Sequence, residues 1–404
     1  MIRISSKQRT VTRHLYRSLL GMVFVVNFGR VAFAPLVEPL QAAFDAGPAT
    51  VGAVVSLVWL GSALPRLPLS YVLTRVSRRR VVVLSGVALT AAAAFTAASK
   101  DVWTLRAGVL AIGVASGAYF VSAVPLIGEL YPDRVGKRIG VHGTAAQLAA
   151  VAAPTVVVAV VAVATWRAVF WLLAATALVT TLGFALGLRR TDQVREAPPA
   201  RNFRGVLGNW RVILAGILFI SAAGFVWQGL FNFYVSVMLA RGLDAGTANL
   251  LLTVTFAAGV PAFWISGTLV DRLPTIPYIL GLVGAFTVGV FGVTVFSGAL
   301  ALGVVSVVLG YAIHGLFPAL DTYILSALPA DTRAGTFAAF SGLSIAIEAT
   351  GSGAVGVLVE AGYPFTTVFR GFAVGLVLVL ALSVGLYRTG RLPMADRVGD
   401  VVGA

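Results

Sequence analysis

The chain contains no cysteine, only three histidines, few charges and no polar stretch long enough to build a soluble domain. Without cysteine there are no disulfides and no thiolate metal ligands, and three widely separated histidines leave no transition-metal site to expect. Charged residues make up 11% of the 404 positions and hydrophobic ones 58%, with a mean hydropathy of +0.94, against about 25% charged in an ordinary soluble domain. No GxxxxGK[ST] loop, no HExxH and no GxSxG in a suitable context occurs, which argues against self-contained ATP hydrolysis, zinc proteolysis and serine hydrolysis. Neither an enzyme nor a cofactor is expected.

What the chain has instead is long apolar runs. Crossing a hydrocarbon core of about 30 Å takes about 20 apolar residues per helix, whereas a membrane β-barrel needs alternating segments of about 10. The runs here are apolar on every face and joined by very short loops, which predicts an all-α membrane protein. Their centres lie near Phe28, Trp59, Leu89, Gly117, Val151, Leu178, Phe225, Val260, Leu282, Tyr311, Ile347 and Leu376, so twelve transmembrane helices are expected. The N-terminus carries Arg3, Lys7, Arg9, Arg13 and Arg17 without a long uncharged cleavable segment, so the first helix is expected to stay.

The net charge of +15 raises the question of a nucleic-acid partner. All but seven of the 30 Lys and Arg fall at the N-terminus, in alternate loops, in a central polar stretch and in the C-terminal tail. The exceptions are Arg30, Arg66, Lys100, Arg106, Arg167, Arg241 and Arg370. That pattern follows the positive-inside rule for an even number of helices with both termini cytoplasmic. Membrane orientation therefore accounts for the charge, and the cell membrane is the expected location.

The longest polar stretch after the N-terminus runs from Arg189 to Arg211, with charges of both signs and the pair Pro198-Pro199. Its composition is that of a linker, which divides the chain into a six-helix bundle at 1–188, a cytoplasmic linker at 189–210 and a second bundle with a short tail at 211–404. The halves echo each other at a nearly constant offset. Arg75 falls opposite Arg272, Pro132 opposite Pro329, Arg138-x-Gly140 opposite Arg333-x-Gly335, and Val169-Phe170 opposite Val368-Phe369.

Two short loops carry most of this echo. Gly267-Thr-Leu-Val-Asp271-Arg272 fits a Gly-x-x-x-Asp-Arg pattern. The stretch from Ser70 to Arg75, followed by Arg78-Arg79-Arg80, keeps the basic residues but has Ser70, Thr74 and Ser77 where that pattern favours Gly, Asp and Gly. Glu129-Leu-Tyr-Pro132 with Arg138-x-Gly140, and Trp166-Arg-Ala-Val-Phe-Trp171, are further marks. On these motifs the whole chain resembles the major facilitator superfamily of secondary transporters. The resemblance implies two six-helix bundles related as a direct repeat, with helices 1, 4, 7 and 10 around a central cavity. It departs from the antiporter-type exporters in two places: Arg106 lies about one turn earlier than expected in helix 4, and helix 5 has Ala153-Pro154 where they tend to show Gly-Pro.

Charges inside the membrane each need a partner, a watery cavity or a function, because an ionised group at mid-bilayer costs at least about 2.5–3.5 kcal/mol. Arg30 lies about 18 Å into helix 1 at 1.5 Å per residue, too deep to snorkel. Its planar fork suits carboxylate or phosphate, and the resemblance places it near the substrate. Two readings stand, anion recognition or a structural ion pair with a buried acid. Asn27, one turn earlier, is a neutral donor on the same face. Helix 7 offers Trp227, Gln228, Phe231 and Asn232, with the two amides expected to line the cavity. Glu348 near the midplane, Asp321 in helix 10, and His314 two turns from Asp321 are the candidate proton-coupling groups, His314 being also a candidate ligand; the alternative is that Asp321 anchors the inner end of helix 10 and His314 is a packing residue.

Arg66 in Leu64-Pro65-Arg66-Leu67-Pro68 is near enough to the inner end of helix 2 to reach the interface, and is read as structural or gating. Glu38, between Pro35 and Pro39, is read as a hinge or outer-gate residue. Gly267, Asp271 and Arg272, with Arg75, Arg78 and Arg79, form the expected gating motif, in which Asp271 pairs near the inner end of helix 8 and biases a two-state equilibrium. The basic residues double as positive-inside charges. The expectation is a monomeric secondary transporter working by alternating access, moving a small organic anion, a carboxylate or organophosphate, with proton coupling. Efflux of hydrophobic compounds is the alternative, and a non-transporting membrane sensor the alternative of another class. A small-molecule substrate, a proton and the lipid bilayer are the expected partners.

Overall fold

The computed structural model describes residues 6–73, 75–188, 207–328 and 332–393. Thr74, Pro329, the first five residues, most of the expected linker and the tail from residue 394 lie outside them. Among the described residues, twelve segments are long and apolar enough to cross a membrane. They are α1 (Thr12–Phe44), α2 (Pro48–Leu69), α3 (Arg78–Ala97), α4 (Val102–Leu130), α5 (Val135–Val163) and α6 (Trp166–Leu188) in one half. The other half has α7 (Trp210–Asn232), α8 (Ala245–Val270), α9 (Thr275–Val295), α10 (Ala299–Ser326), α11 (Gly335–Glu360) and α12 (Phe365–Arg388).

Local chemistry explains where these helices start and break. Asp101 caps α4, its carboxylate accepting the Thr104 backbone N–H at 2.8 Å while the Thr104 hydroxyl accepts the Asp101 N–H at 3.3 Å. Asp244 caps α8 through Thr247, whose backbone N–H and hydroxyl both donate to its carboxylate, at 2.9 and 2.7 Å. Such caps satisfy N–H groups that have no partner within the helix. Proline breaks the runs where its ring removes a donor: α1 tightens into a 3-10 turn at Ala34–Leu36 around Pro35, and α2 is interrupted at Leu64 and Pro65 before a short helix at Arg66–Val72. The expected single first and second helices are therefore each jointed. After α7 the chain resumes as a short helix at Tyr234–Ala240.

Small residues bring the helices together. A Cβ added at Gly310 would strike the Thr255 carbonyl between α8 and α10, and one at Gly351 would strike the Phe225 carbonyl between α7 and α11. Gly61 and Gly113 meet between α2 and α4. In lipid, where apolar surface gains little by pairing, this close approach is a main source of helix association.

Within each half the six helices pack on one another, and the halves meet along α2 with α11 and α5 with α8. The direct repeat maps α2 onto α8 and α5 onto α11, so these two seams are equivalent. At the face away from the chain termini the seams are shut. The Ser236 hydroxyl donates to Glu38 at 2.5 Å, the Ala49 N–H donates to Glu360 at 2.9 Å, and the Gly353 N–H donates to Ser56 at 3.0 Å. Glu38, expected as a gate, is thus one half's contribution to that closure. Toward the terminal face, Asp321 is exposed although it interacts electrostatically with Arg66 of the opposite half. An exposed acid facing a charge on the other bundle marks a solvent-filled gap that opens on the terminal face.

Candidate substrate-binding site

Deeper between the halves lies Arg30 of α1, with a relative exposure of 7%. Its guanidinium carbon lies 3.9 Å from the centroid of the Trp59 ring on α2 and 5.1 Å from that of Phe120 on α4. The rings cover the cation without giving it an acceptor. Arg30 Nε is buried and unbonded, as is the indole Nε1 of Trp59. Among the described residues, no acceptor and no ion pair engages this guanidinium.

Opposite Arg30 stands α11, with Ser341, Ser344 and Glu348 at helical spacing on one face. Glu348 is 5% exposed and lies against α7 at Gly224, where an added Cβ would fall 2.5 Å from its Cγ and 2.9 Å from its Oε1. Glu348 interacts electrostatically with Arg66 and Arg30 without a direct ion pair to either. Arg66 donates from Nη1 to the Ser341 hydroxyl across the α2–α11 seam and also faces Asp321. Arg66, read from the sequence as a residue near the interface, thus links both acids of the second half. Two arginines of the first half oppose two acids of the second.

The remaining expected ligands have other partners. Asn27 Nδ2 donates to the Ala146 carbonyl of α5 at 2.7 Å, which ties α1 to α5 rather than placing that donor beside Arg30. Asn232 Nδ2 donates to the Gln228 carbonyl at 2.9 Å and to the Ser352 hydroxyl at 2.9 Å, and Ser352 donates to the Gln228 carbonyl at 2.8 Å. These two amides, expected to line the cavity, belong to a buried staple between α7 and α11. His314 donates from Nδ1 to the Gly310 carbonyl at 2.7 Å. Its ring packs among Trp227, Phe256, Phe263 and Phe317 at centroid distances of 5.6 to 6.5 Å. It stands in a ring of aromatics beside Gln147, whose Nε2 donates to the Phe256 carbonyl at 2.8 Å and links α5 to α8.

The gating-motif residues all lie at the terminal face. Arg78 forms an ion pair with Glu129, joining the start of α3 to the end of α4. Arg75 donates to the Tyr71 hydroxyl at 2.5 Å. Arg79 is half-buried, Asp271 and Arg272 are exposed, and open space surrounds Gly267. No ion pair involves Asp271 among the described residues.

Sequence reasoning passed over Trp59, Phe120, Gly224 and Ser341, and a buried pair on α4 and α5. In that pair Tyr119 donates to the Leu19 carbonyl at 2.8 Å and contacts His142 Nε2 at 3.0 Å. One signal was available: Trp59 lies mid-helix, away from the interfacial belt where membrane tryptophans concentrate.

Comparison with known proteins agrees with this architecture. Two solved structures of a bacterial homologue of the human lysosomal transporter Spinster, inward-facing and either unoccupied or occupied, align with TM-scores of 0.73. The identities are 16% and 15%, over 95% and 96% of this chain and 98% of each of theirs. No curated protein matches the chain. The family model described as Major Facilitator Superfamily matches residues 19–347. On that match, and on twelve membrane-spanning helices among the described residues arranged as two repeated bundles, the chain belongs to the major facilitator superfamily of membrane transporters.

Proposed function

We propose that this transporter carries small organic anions together with protons, its two bundles alternately exposing the site around Arg30. One observation carries the reading: a buried guanidinium with no protein acceptor. Burying an unpaired charge costs several kcal/mol, and cation–π contact offsets about 2 kcal/mol of it. A carboxylate or organophosphate supplies what is missing, two acceptors in the plane of the fork.

Charge balance supports proton coupling. With both acids ionised, Arg30, Arg66, Glu348 and Asp321 sum to neutrality, and an added anion leaves the cavity negative. Glu348 is the acid that acts on Arg30. Protonating its carboxylate from the solvent-filled gap removes the competitor, so the anion binds Arg30 as the proton binds Glu348, and both cross together. The positive-inside bias supports a cell-membrane location with the terminal face in the cytoplasm. The proposed working unit is a monomer.

A second reading, efflux of hydrophobic compounds, draws support from the aromatic wall formed by Trp59, Phe231, Trp227 and Phe256. Counterflow of labelled organic anions, cations and neutral drugs in proteoliposomes separates the two. The anion reading expects exchange of carboxylates by wild type and its loss in Arg30→Ala. Exchange of cations or neutral drugs with the variant matching wild type overturns it. Uptake insensitive to an uncoupler removes the proton.

A further inference from the structure

The internal repeat relates the residues around Arg30 to a second cluster. Trp227, Phe256 and Phe317 fall 197 positions after Arg30, Trp59 and Phe120, the same offset that relates Arg75 to Arg272. In the first half a cation lies among the two rings. In the second half an indole takes the cation's place: Trp227 stands 5.9 Å from Phe256 and 5.6 Å from His314, with Phe317 6.5 Å from the same imidazole. The repeat has built one half-site around a guanidinium and the other from aromatic rings packed about the His314 imidazole.

The two half-sites adjoin. Trp59, which covers Arg30, meets Phe231 of α7 edge-on at 6.0 Å, and Phe231 lies 5.3 Å from Trp227. An anionic group engaging Arg30 therefore has aromatic side chains of both bundles beside it, Trp59 on one side and Phe231 with Trp227 on the other. Trp59 Nε1, buried and unbonded, supplies a neutral donor beside the head group. From this geometry we infer that the substrates are aromatic carboxylates, the carboxylate held by Arg30 and the ring received by the cluster of Trp227, Phe256 and Phe317.

This inference rests on the anion reading and adds a ring to it. It also assigns specificity to uncharged aromatic side chains of α7, α8 and α10. An aromatic ring on aromatic walls gains about 0.5–1.5 kcal/mol beyond the area it buries, whereas a saturated ring of equal size gains only the area.

Three probes test it on the purified full chain in detergent, by the concentration giving half-maximal thermal stabilisation. They are 3-phenylpropanoate, 3-cyclohexylpropanoate and 3-phenylpropan-1-ol. The expected result is that the phenyl acid acts at a concentration about twofold to tenfold below the cyclohexyl acid, and that the alcohol gives no stabilisation. Trp227→Leu is expected to equalise the two acids, and Trp227→Phe to restore the preference. Equal potency of the two acids on wild type, both exceeding the alcohol, overturns the aromatic half-site and leaves the anion reading standing. An alcohol as potent as the acids overturns both. A phenyl preference unchanged in Trp227→Leu and in Phe317→Leu also overturns the assignment, as does the absence of stabilisation by either acid.

Discussion

Arg30 and Trp59 hold each other across α1 and α2, the guanidinium carbon 3.9 Å from the ring centroid, while the donors on each side chain stay unbonded. The stack fixes the plane of the fork and leaves its edge for a ligand. Fixing the fork in advance lowers the entropy lost on binding, so affinity depends on this geometry as well as on charge.

Arg30→Lys tests that separation. It keeps the charge and removes both the planar fork and the broad stacking face, so the anion concentration for half-maximal counterflow should rise about tenfold to a hundredfold. Lysine supporting exchange at the wild-type concentration would reduce the role of Arg30 to charge alone.

Glu348 should separate exchange from proton drive. Glu348→Gln imitates the protonated acid, so anion counterflow should persist while accumulation driven by a pH gradient disappears. The variant should melt at or above the wild-type temperature, because a buried carboxylate with no direct ion pair is replaced by a neutral amide. Retained gradient-driven accumulation would move the proton site to Asp321 or His314.

The fold was legible in the sequence because lipid imposes length and apolarity on every spanning segment, and because the loop motifs repeat at a nearly constant offset. The deep arginine and the buried acid were legible for the same reason, since charge at mid-membrane is rare. Partnership was not. Asn27 and Asn232 are polar residues inside helices, and nothing in their spacing says that a neighbouring helix, not the cavity, takes their hydrogen bonds. Nor does a glycine announce its purpose: Gly224 makes room for Glu348, while Gly351 admits the Phe225 backbone.

Those two glycines predict opposite phenotypes. Ala at 224 meets the end of a flexible side chain, so the fold should survive with the Glu348 carboxylate displaced and proton coupling impaired. Ala at 351 meets backbone, and should cost roughly 1–3 kcal/mol by forcing α7 from α11. Melting temperatures and gradient-driven uptake on both variants check this; a destabilised Gly224→Ala with intact coupling would refute the packing argument.

The caps at the far face give a pH dependence of stability. Asp101 is held below the ordinary value of 3.8, chiefly by the backbone N–H of Thr104, and Asp244 likewise by the hydroxyl and N–H of Thr247. Because the folded values are depressed, the stabilisation is complete above the unfolded value near 3.8 and fades as pH falls through the lower folded one. Asp101→Asn and Asp244→Asn should therefore narrow the melting difference between pH 7 and pH 3 relative to wild type. An unchanged difference would show that the caps carry no linked stability.

Arg66 and Asp321 should govern closure of the terminal face. They face each other from opposite halves with Asp321 exposed to the gap, so bringing the bundles together shortens their separation and expels water, both of which strengthen the attraction. Asp321→Asn removes it without touching Arg30. A few kcal/mol suffices to bias such an equilibrium. Turnover should drop about tenfold, with the half-saturating anion concentration changed less than about twofold. Arg66→Ala should be more severe, because it also deletes the bond to Ser341 that joins α2 to α11. If Asp321→Asn instead weakens anion affinity and leaves turnover untouched, the acid acts on the ligand, and closure must rest on other contacts such as those available to Asp271.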